Sequence, residues 1–503
     1  MTHPVPAIIV SLPAVSADEA REQAKESVAA GADFAEVRFD RWSPDALDQL
    51  ARLFPSPLPL IATIRSRAEG GAGPDDPHVR AQLLSGLARF PFRWIDLESD
   101  RDLGVLPLLP PPETMGRIVS THYPAGIGAE QWAERVREPV PAGCVRKVVA
   151  WARVGTLLTE LLPRLPAPGD TAVVAMTTGP SSPLLRAWAR RLGLPMVYAS
   201  LPQRSGTDDE PTPVEVGQIP VDHLRPYLAA NEGAPLFGLA GHPVAHTRSP
   251  ALHARWMAHR RRAGLYVPLD FETESEFVDS LGLLPEWGFR GLNVTHPWKA
   301  AAIEAATEVV GGAAICGVAN TLTFRGVAIE AENTDLVAIL RRLEELKRSG
   351  RWDGRTVSVV GAGGAARATL AAARTLGAQA TVYARRPAAA EDVARAFGAR
   401  ARSTTDALPD SLVVHATDVG RPGTSPLNVD IGRLVEAGSH VVDWVYSPVG
   451  TSVRNAVEAA GATYEDGKRL LVYQASASFG VWWGDEPDAE EIRATLREEG
   501  CAE

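Results

Sequence analysis

The chain has 503 residues, a length that suits about three domains, or one large barrel plus a two-lobed unit, and excludes a single small binding module. With 45% hydrophobic and 22% charged residues it has ordinary globular composition, which excludes wholesale disorder and collagen-like structure. A formal net charge of −10 argues against a nucleic-acid footprint or a membrane-surface helix and leaves small molecules as the expected partners.

The opening stretch, MTHPVPAIIVSLPA, carries no basic segment before its apolar run, so neither a signal peptide nor an anchor is expected. Eight short runs rich in Val and Ile follow: 7–12, 34–40, 58–65, 93–99, 116–122, 144–152, 171–178 and 195–201. Most are bracketed by Gly, Pro or Asp, the pattern of buried parallel strands. Helix-like segments lie between them, the first capped by Ser16 and stopped by Gly31. Eight strands with intervening helices predict a (β/α)8 TIM barrel over 1–225, with a site at the C-terminal strand ends. On pattern alone the alternative is an open doubly wound sheet.

The polar residues fall where a barrel would use them. Glu36 and Arg38 are two apart and share a strand face, Arg65 closes the third strand with Glu69 in the following loop, and His122 ends the fifth. Lys147 sits inside an apolar strand with Val145 and Val149 on its face, so its amine is expected to point into the core. Burial there disfavours the ammonium and favours an amine able to attack a carbonyl, and a histidine on the next strand supplies a proton carrier.

Residues 226–235, polar and punctuated by Pro and Gly, read as a linker. Strand–helix alternation then restarts, with a substrate-binding unit expected over 236–340, a Rossmann unit over 341–466, and a C-terminal helical segment over 467–503 that packs back on the substrate unit. The apolar strand TVSVV leads into GAGGAARA, which opens an Ala-rich helix. In that order, Gly361, Gly363, Gly364 and Ala365 place backbone amides at a helix N-terminus, where a pyrophosphate binds. The second strand ends in Arg385-Arg386 where an acidic residue would select NAD, so the expected cofactor is NADP.

Only five of the 51 basic residues are lysine: Lys25, Lys147, Lys299, Lys347 and Lys468. Arginine substitutes wherever a charge suffices but cannot act as a neutral amine near pH 7, so a retained lysine is informative. Three cysteines, Cys144, Cys316 and Cys501, lack any Cys-x-x-Cys spacing; a reducing, cytoplasmic compartment and no metal site are expected.

The first-half motifs, ExRxD at 36–40, RSRAEGG at 65–71, SxH at 120–122, the strand lysine, the run from Met176 to Arg186 and GQ at 217–218, resemble the type I 3-dehydroquinate dehydratases. The resemblance implies an imine between Lys147 and the substrate ketone, with His122 as proton carrier. It also implies that Arg186 and Gln218 hold the carboxylate end and that Glu36, Arg38, Arg65 and Glu69 orient the rest. One departure is VEVGQ, where Val214 replaces a small hydroxyl residue; Thr212 and Ser200 are the nearby hydroxyls, and the site is read without a serine there.

The second half is similar to the shikimate dehydrogenases in AGHPVAHTRSPALH, GLNVTHPWK, GVANTL, AENTD, HATDVG, DWVYSPVGT and GKRLLVYQASASFGVWWG, which together span 236–484. That similarity implies Lys299 and Asp335 as the catalytic pair. Thr247, Ser249, Thr295, Asn320, Tyr446 and Gln474 would surround the substrate, and Thr417 and Gly467 would join the cofactor site. Thr247 and His415 depart from the family's usual serine and asparagine, and Leu336 follows NTD where glycine is frequent.

Together the resemblances imply a fused enzyme converting 3-dehydroquinate to 3-dehydroshikimate and then, with NADPH, to shikimate. The rivals are a non-catalytic metabolite-sensing regulator built from the same folds, or quinate oxidation by the second half. Oligomeric state is left open.

Overall fold

Each apolar run of the first half forms a strand, because Val and Ile fit a pleat buried on both faces. They are β1 (Ala7–Leu12), β2 (Phe34–Arg38), β3 (Leu60–Thr63), β4 (Trp94–Glu98), β5 (Gly116–Tyr123), β6 (Cys144–Trp151), β7 (Val173–Thr178) and β8 (Met196–Ala199). The structure is a computed structural model and describes residues 3–167, 173–202, 217–230, 233–244, 247–403, 407–419, 431–446 and 452–501. Val214 and Thr212 lie outside these residues.

All pairings in this sheet are parallel, in the order β7-β6-β5-β4-β3-β2-β1-β8. Since β1 pairs with β8, the sheet rolls up until β7 and β8 adjoin, giving a nearly closed (β/α)8 barrel. Ser16 caps the first helix, Ala17–Ala29, by accepting from the Glu19 amide, and Gly31 leaves the helix end at φ 91°.

Residues 226–229, expected to begin the linker, are instead the last turn of the helix Val221–Ala229. Val221, Leu224 and Leu228 are buried, so the apolar spacing continues through Pro226 despite its missing N–H.

The next sheet is mixed: β9 (Leu236–Gly241), β10 (Leu265–Asp270), β11 (Phe289–Val294), β12 (Glu308–Val309), β13 (Thr321–Arg325) and β14 (Ala328–Glu332), ordered β10-β9-β11-β13-β14-β12. The helix Thr334–Arg348 leaves this sheet and runs without interruption across 340/341, where the sequence suggested a boundary.

The third sheet contains β15 (Thr356–Val360), β16 (Gln379–Tyr383), β17 (Arg400–Arg402), β18 (Leu412–His415), β19 (His440–Asp443) and β20 (Thr463–Glu465). It is wholly parallel in the order β17-β16-β15-β18-β19-β20, the 3-2-1-4-5-6 arrangement of a dinucleotide-binding fold with its switch point after β15. Helices Lys468–Trp483 and Ala489–Glu498 then return to the second sheet. Trp482 Nε1 donates to the Leu322 carbonyl at 3.1 Å and Trp256 Nε1 to Thr495 Oγ1 at 3.2 Å.

The barrel and the second sheet share one apolar core. At their junction Trp188 packs on Trp287 with ring centroids 4.9 Å apart and donates from Nε1 to the Trp287 carbonyl at 2.9 Å. Arg191 lies over the Trp287 ring, the Glu276 carboxylate accepts from the Gly155 amide at 2.9 Å, and Arg153 pairs with Glu272. Aromatic packing and charge-assisted bonds thus fix the second sheet against the barrel.

Candidate active sites

In the barrel, the alternation of strand residues turns Ser11, Glu36, Thr63, Asp96, Ser120 and Lys147 away from solvent, all of them buried. Glu36 accepts from Ser11 Oγ at 2.8 Å and Thr63 Oγ1 at 2.9 Å. Lys147 Nζ lies 3.3 Å from Asp96 Oδ2 and 3.8 Å from Glu36 Oε1, and 3.9 Å over the Tyr198 ring. The amine is therefore enclosed, as expected, but among carboxylates and a phenol ring instead of the apolar neighbours its strand suggested.

Arg65 organises the rest. Its Nη2 donates to Asp96 at 2.8 Å, and its Nη1 to Glu69 at 2.9 Å, Ser120 Oγ at 2.9 Å and Glu98 at 3.3 Å. Burial opposes the Asp96 charge, yet Arg65 and Lys147 outweigh it and hold its carboxyl well below the usual range. Glu69 Oε2 sits 2.9 Å from His122 Nδ1 and also accepts from the His122 amide at 3.1 Å. Burial pushes the Glu69 carboxyl up; Arg65 opposes, Glu98 and Asp96 add, and it settles at about 7. His122 is pushed well below its usual value by burial and by the Arg65 and Lys147 charges. It is thus a neutral base near pH 7, oriented through Nδ1 by Glu69.

Arg38 binds Asp40 bidentately at 2.8 and 2.9 Å, and Asp40 also accepts from the Arg65 and Ala72 amides, pinning the 65–73 loop. Arg186 is buried without a carboxylate partner among the described residues. Its Nε donates to the Tyr198 carbonyl at 3.0 Å and its Nη1 to Thr177, Ser182 O and Ser182 Oγ. Burial pushes this guanidinium down to about 9, so an anion reaching it would relieve a real cost. Ser182 Oγ also donates to the Gly217 carbonyl, next to Gln218. Ser200, by contrast, uses its backbone to bridge Ile219 and Val221.

In the second half one hydrogen-bond chain joins Ser249 and Tyr266 to Asp335 and Lys299. Tyr266 shares a hydrogen bond with Ser249 and donates to Asn293 Oδ1 at 2.9 Å. Asn293 donates to Thr321 Oγ1 at 3.1 Å, and Thr321 donates to Asn320 Oδ1 at 3.0 Å. Asn320 donates to Asp335 Oδ1 at 2.8 Å, and the other Asp335 oxygen is hydrogen-bonded to Lys299 Nζ. Thr247 Oγ1 accepts from the Ser249 amide at 3.2 Å. Thr295 enters the loop before Lys299 and Tyr446 acts electrostatically on Tyr266. Gln474 donates to the Leu471 carbonyl, so it is not bonded into this chain; Ser478, a turn later, reaches Asn293 Oδ1 at 3.3 Å.

The cofactor cradle fits a dinucleotide on the evidence of its glycines. Gly361 has φ 126°, and a Cβ there would lie 2.5 Å from the Ala416 carbonyl. Gly363 begins the helix Gly364–Thr375 with no side-chain cap and open space beside it, leaving first-turn amides free for phosphate. A Cβ on Gly364 would meet Lys299 Cδ at 2.9 Å, so the glycine turn abuts Lys299. Ala365 continues that turn, Thr417 flanks Gly361, and Gly467 packs against the Trp444 carbonyl. Arg385 and Arg386 are exposed beyond β16 and form no ion pair among the described residues.

Sequence reasoning missed Asp96, Glu98, Ser182, Tyr198, Tyr266 and Asn293. Asp96 was discoverable as a carboxylate between Ile95 and Leu97 in a buried run, and Asn293 as the polar residue of GLNVTHPWK; Tyr266 lies in no such motif.

The family model for type I 3-dehydroquinase matches residues 8–234, and that for the shikimate dehydrogenase substrate binding domain matches 239–322. Shikimate dehydrogenase (NADP(+)) of a Ruegeria species is 36% identical over 264 residues, 50% of this chain and 94% of the relative. The chain belongs to the shikimate dehydrogenase family. Its first half is a type I 3-dehydroquinase domain, so the two resemblances read from the motifs hold. The Acidiphilium cryptum shikimate dehydrogenase (NADP(+)) is 38% identical over 260 residues, covering 50% of this chain and 92% of that one. Among solved structures, dehydroquinate dehydratase and shikimate dehydrogenase from S. pombe aligns over 99% of this chain and 98% of its own at 21% identity and TM-score 0.42. By the two family models and these relatives, the chain joins a type I 3-dehydroquinase domain to a shikimate dehydrogenase, a lyase fused to an oxidoreductase of the shikimate pathway. Among the described residues no helix is long and apolar enough to cross a membrane, and no cluster of His, Cys, Asp or Glu could hold a metal ion.

Proposed function

We propose that the barrel dehydrates 3-dehydroquinate through an imine on Lys147 and that the second half reduces the resulting 3-dehydroshikimate to shikimate. The observation that carries this reading is the placement of each lysine beside a carboxylate: Lys147 with Asp96, next to a neutral His122, and Lys299 with Asp335, against the glycine turn.

In the barrel, Lys147 Nζ forms the C–N bond and the ketone oxygen leaves as water, while Asp96 and Glu36 stabilise the cationic nitrogen. His122 removes the proton adjacent to the imine, and the Glu69 carboxylate stabilises the imidazolium that forms. The proton then goes to the departing hydroxyl, the alkene forms, and water releases the amine from the product. Arg186 and Gln218 hold the substrate carboxylate, while Arg38, Arg65 and Glu69 fix the mouth of the barrel.

In the second half, bound NADPH supplies a hydride. Lys299 gives a proton to the oxygen on which negative charge develops, and Asp335 aims the ammonium and regains it as a partner afterwards. Asn320 fixes Asp335 from the other side, and Thr247, Ser249, Thr295, Tyr446 and Gln474 surround the substrate. Gly361, Gly363, Gly364 and Ala365 receive the pyrophosphate, Arg385 and Arg386 the 2'-phosphate, and Thr417 and Gly467 close the cradle. The dehydratase unit then runs through the helix Val221–Ala229, the substrate lobe through the helix Thr334–Arg348, and the cofactor lobe from β15, with the closing helices over 467–503. Three cysteines without a disulfide among them suit a cytoplasmic setting.

The test is a coupled assay in which 3-dehydroquinate and NADPH are supplied together. Loss of nicotinamide absorbance with appearance of shikimate is expected. Folded protein that changes neither would leave the regulator reading, and turnover of quinate but not shikimate in the oxidative direction would reassign the second half.

A further inference from the structure

His415 stands at the end of β18, is wholly buried, and uses both ring nitrogens. Nδ1 lies 2.8 Å from Asp443 Oδ1 and Nε2 lies 2.6 Å from Thr417 Oγ1. The Asp443 carboxylate also accepts from the Val445 amide at 2.9 Å and from the Tyr464 hydroxyl at 2.9 Å. A carboxylate only accepts, so Nδ1 carries a proton, and in the neutral ring Nε2 is then the acceptor. Thr417 therefore donates its hydroxyl proton to His415, and its oxygen accepts from the Val419 amide at 3.2 Å. The other face of Thr417 borders the glycine turn: a Cβ on Gly361 would meet Ala416 O at 2.5 Å and Thr417 Cγ2 at 3.2 Å.

We propose that His415, its tautomer set by Asp443, is a positioning residue that locks Thr417 and the 416–419 backbone as the wall of the cofactor cradle opposite Gly361. An asparagine reaches Asp443 but is too short to offer Thr417 a second acceptor at the Nε2 position. The longer ring extends the network by one hydrogen bond and ties the cradle wall to the buried end of β19. This inference rests on the second half being an NADP-dependent dehydrogenase.

Two measurements test it. Hydrogen exchange of the cofactor-free chain, read by mass spectrometry over 412–419, should quicken in His415→Asn and Thr417→Val alike, and remain near the parent rate in His415→Gln, whose amide oxygen reaches the Nε2 position. Calorimetric titration with NADPH should then show about fivefold weaker binding for His415→Asn and for Thr417→Val, the scale of one lost hydrogen bond. KM for NADPH should rise with kcat little changed, and the double variant should bind no more weakly than either single one, because both remove the same link. Dehydratase activity of the barrel checks that each variant has folded, and Thr417→Ser, which keeps the hydroxyl, should hold exchange over 412–419 near the parent rate. Unchanged exchange and affinity in Thr417→Val, or multiplicative losses in the double variant, would overturn the proposal. A parent chain that bound no NADPH would instead refute the dehydrogenase reading, while the exchange arm would still decide the His415–Thr417 link.

Discussion

Glu69 gives the dehydratase half a pH dependence whose origin is testable. Its carboxyl is raised to about 7, first by burial and then by Glu98 and Asp96 acting against Arg65, whereas the His122 it contacts is pushed well below its usual value. His122 is thus already neutral at pH 6, and the group that changes charge between pH 6 and pH 8 is Glu69. A proton-abstracting imidazole needs the ionised carboxylate behind it, because the imidazolium it becomes is stabilised by that charge. With a value of about 7, roughly a tenth of Glu69 is ionised at pH 6 and roughly nine-tenths at pH 8, so dehydration should climb by about ninefold across that interval. The sign follows from the direction of the shift: a carboxyl titrating at its ordinary value would be ionised throughout, and the profile would be flat here. In Glu69→Gln the side-chain oxygen still accepts from Nδ1 but no longer titrates. The climb should disappear, with kcat at pH 8 lowered about ten- to a hundredfold. The assay is kcat/KM for 3-dehydroquinate from pH 5.5 to 9, followed by enone absorbance, for both chains. An identical ascending limb in Glu69→Gln would assign the titration to another group and refute the argument.

Further outcomes follow from the same geometry. Borohydride added with 3-dehydroquinate should leave a covalent adduct on the peptide containing Lys147, and Lys147→Ala should abolish both the adduct and dehydration while reduction of added 3-dehydroshikimate continues; inactivation without a mass increase would dismiss the imine. Replacing Lys299 with Ala or Asp335 with Asn should lower kcat for reduction far more than it weakens NADPH binding, since both act on charge that develops during reaction; matched losses in affinity would move them out of the catalytic role. Arg385→Ala and Arg386→Ala should each cost about ten- to a hundredfold in kcat/KM with NADPH and almost nothing with NADH, and a parallel fall for both cofactors would make these arginines structural.

The fold was legible because its strands are short apolar runs between turn formers, and buried parallel strands have little freedom to look otherwise. The Rossmann order followed from one glycine turn in the correct strand–helix context. What stayed hidden depends on alignment between distant strands. Asp96 lies 51 residues from Lys147, and only the β4-β5-β6 register brings them together across Ser120. Tyr266 and Asn293 meet for the same reason, since β10 and β11 both pair with β9. The misplaced boundaries share another cause. Pro226 and the polar residues near it imitate a linker, but the burial of Leu224 and Leu228 decides for helix, and the Thr334–Arg348 helix has a buried face extending past residue 340.

On the proposed mechanism, one residue type serves two reactions at the two lysines. Lys147 is enclosed by the barrel wall, with Asp96 and Glu36 on one side and the Tyr198 ring on another, so a carbon atom that bonds to its nitrogen stays shielded from water until the proton transfers are complete. His122 then works at a fixed place beside that covalent anchor. Lys299 instead begins the helix Lys299–Glu304, remains partly exposed, and among the described residues has one carboxylate partner, Asp335, held from its far side by Asn320. Its stem lies against the glycine turn at Gly364, where on the proposed mechanism a proton is useful and a covalent bond is not. Arginine could replace neither: it cannot form the imine, and its planar fork would not pass one proton to a single oxygen and be restored by one carboxylate. In a chain that otherwise prefers arginine, the proposed chemistry of the two sites accounts for these two amines.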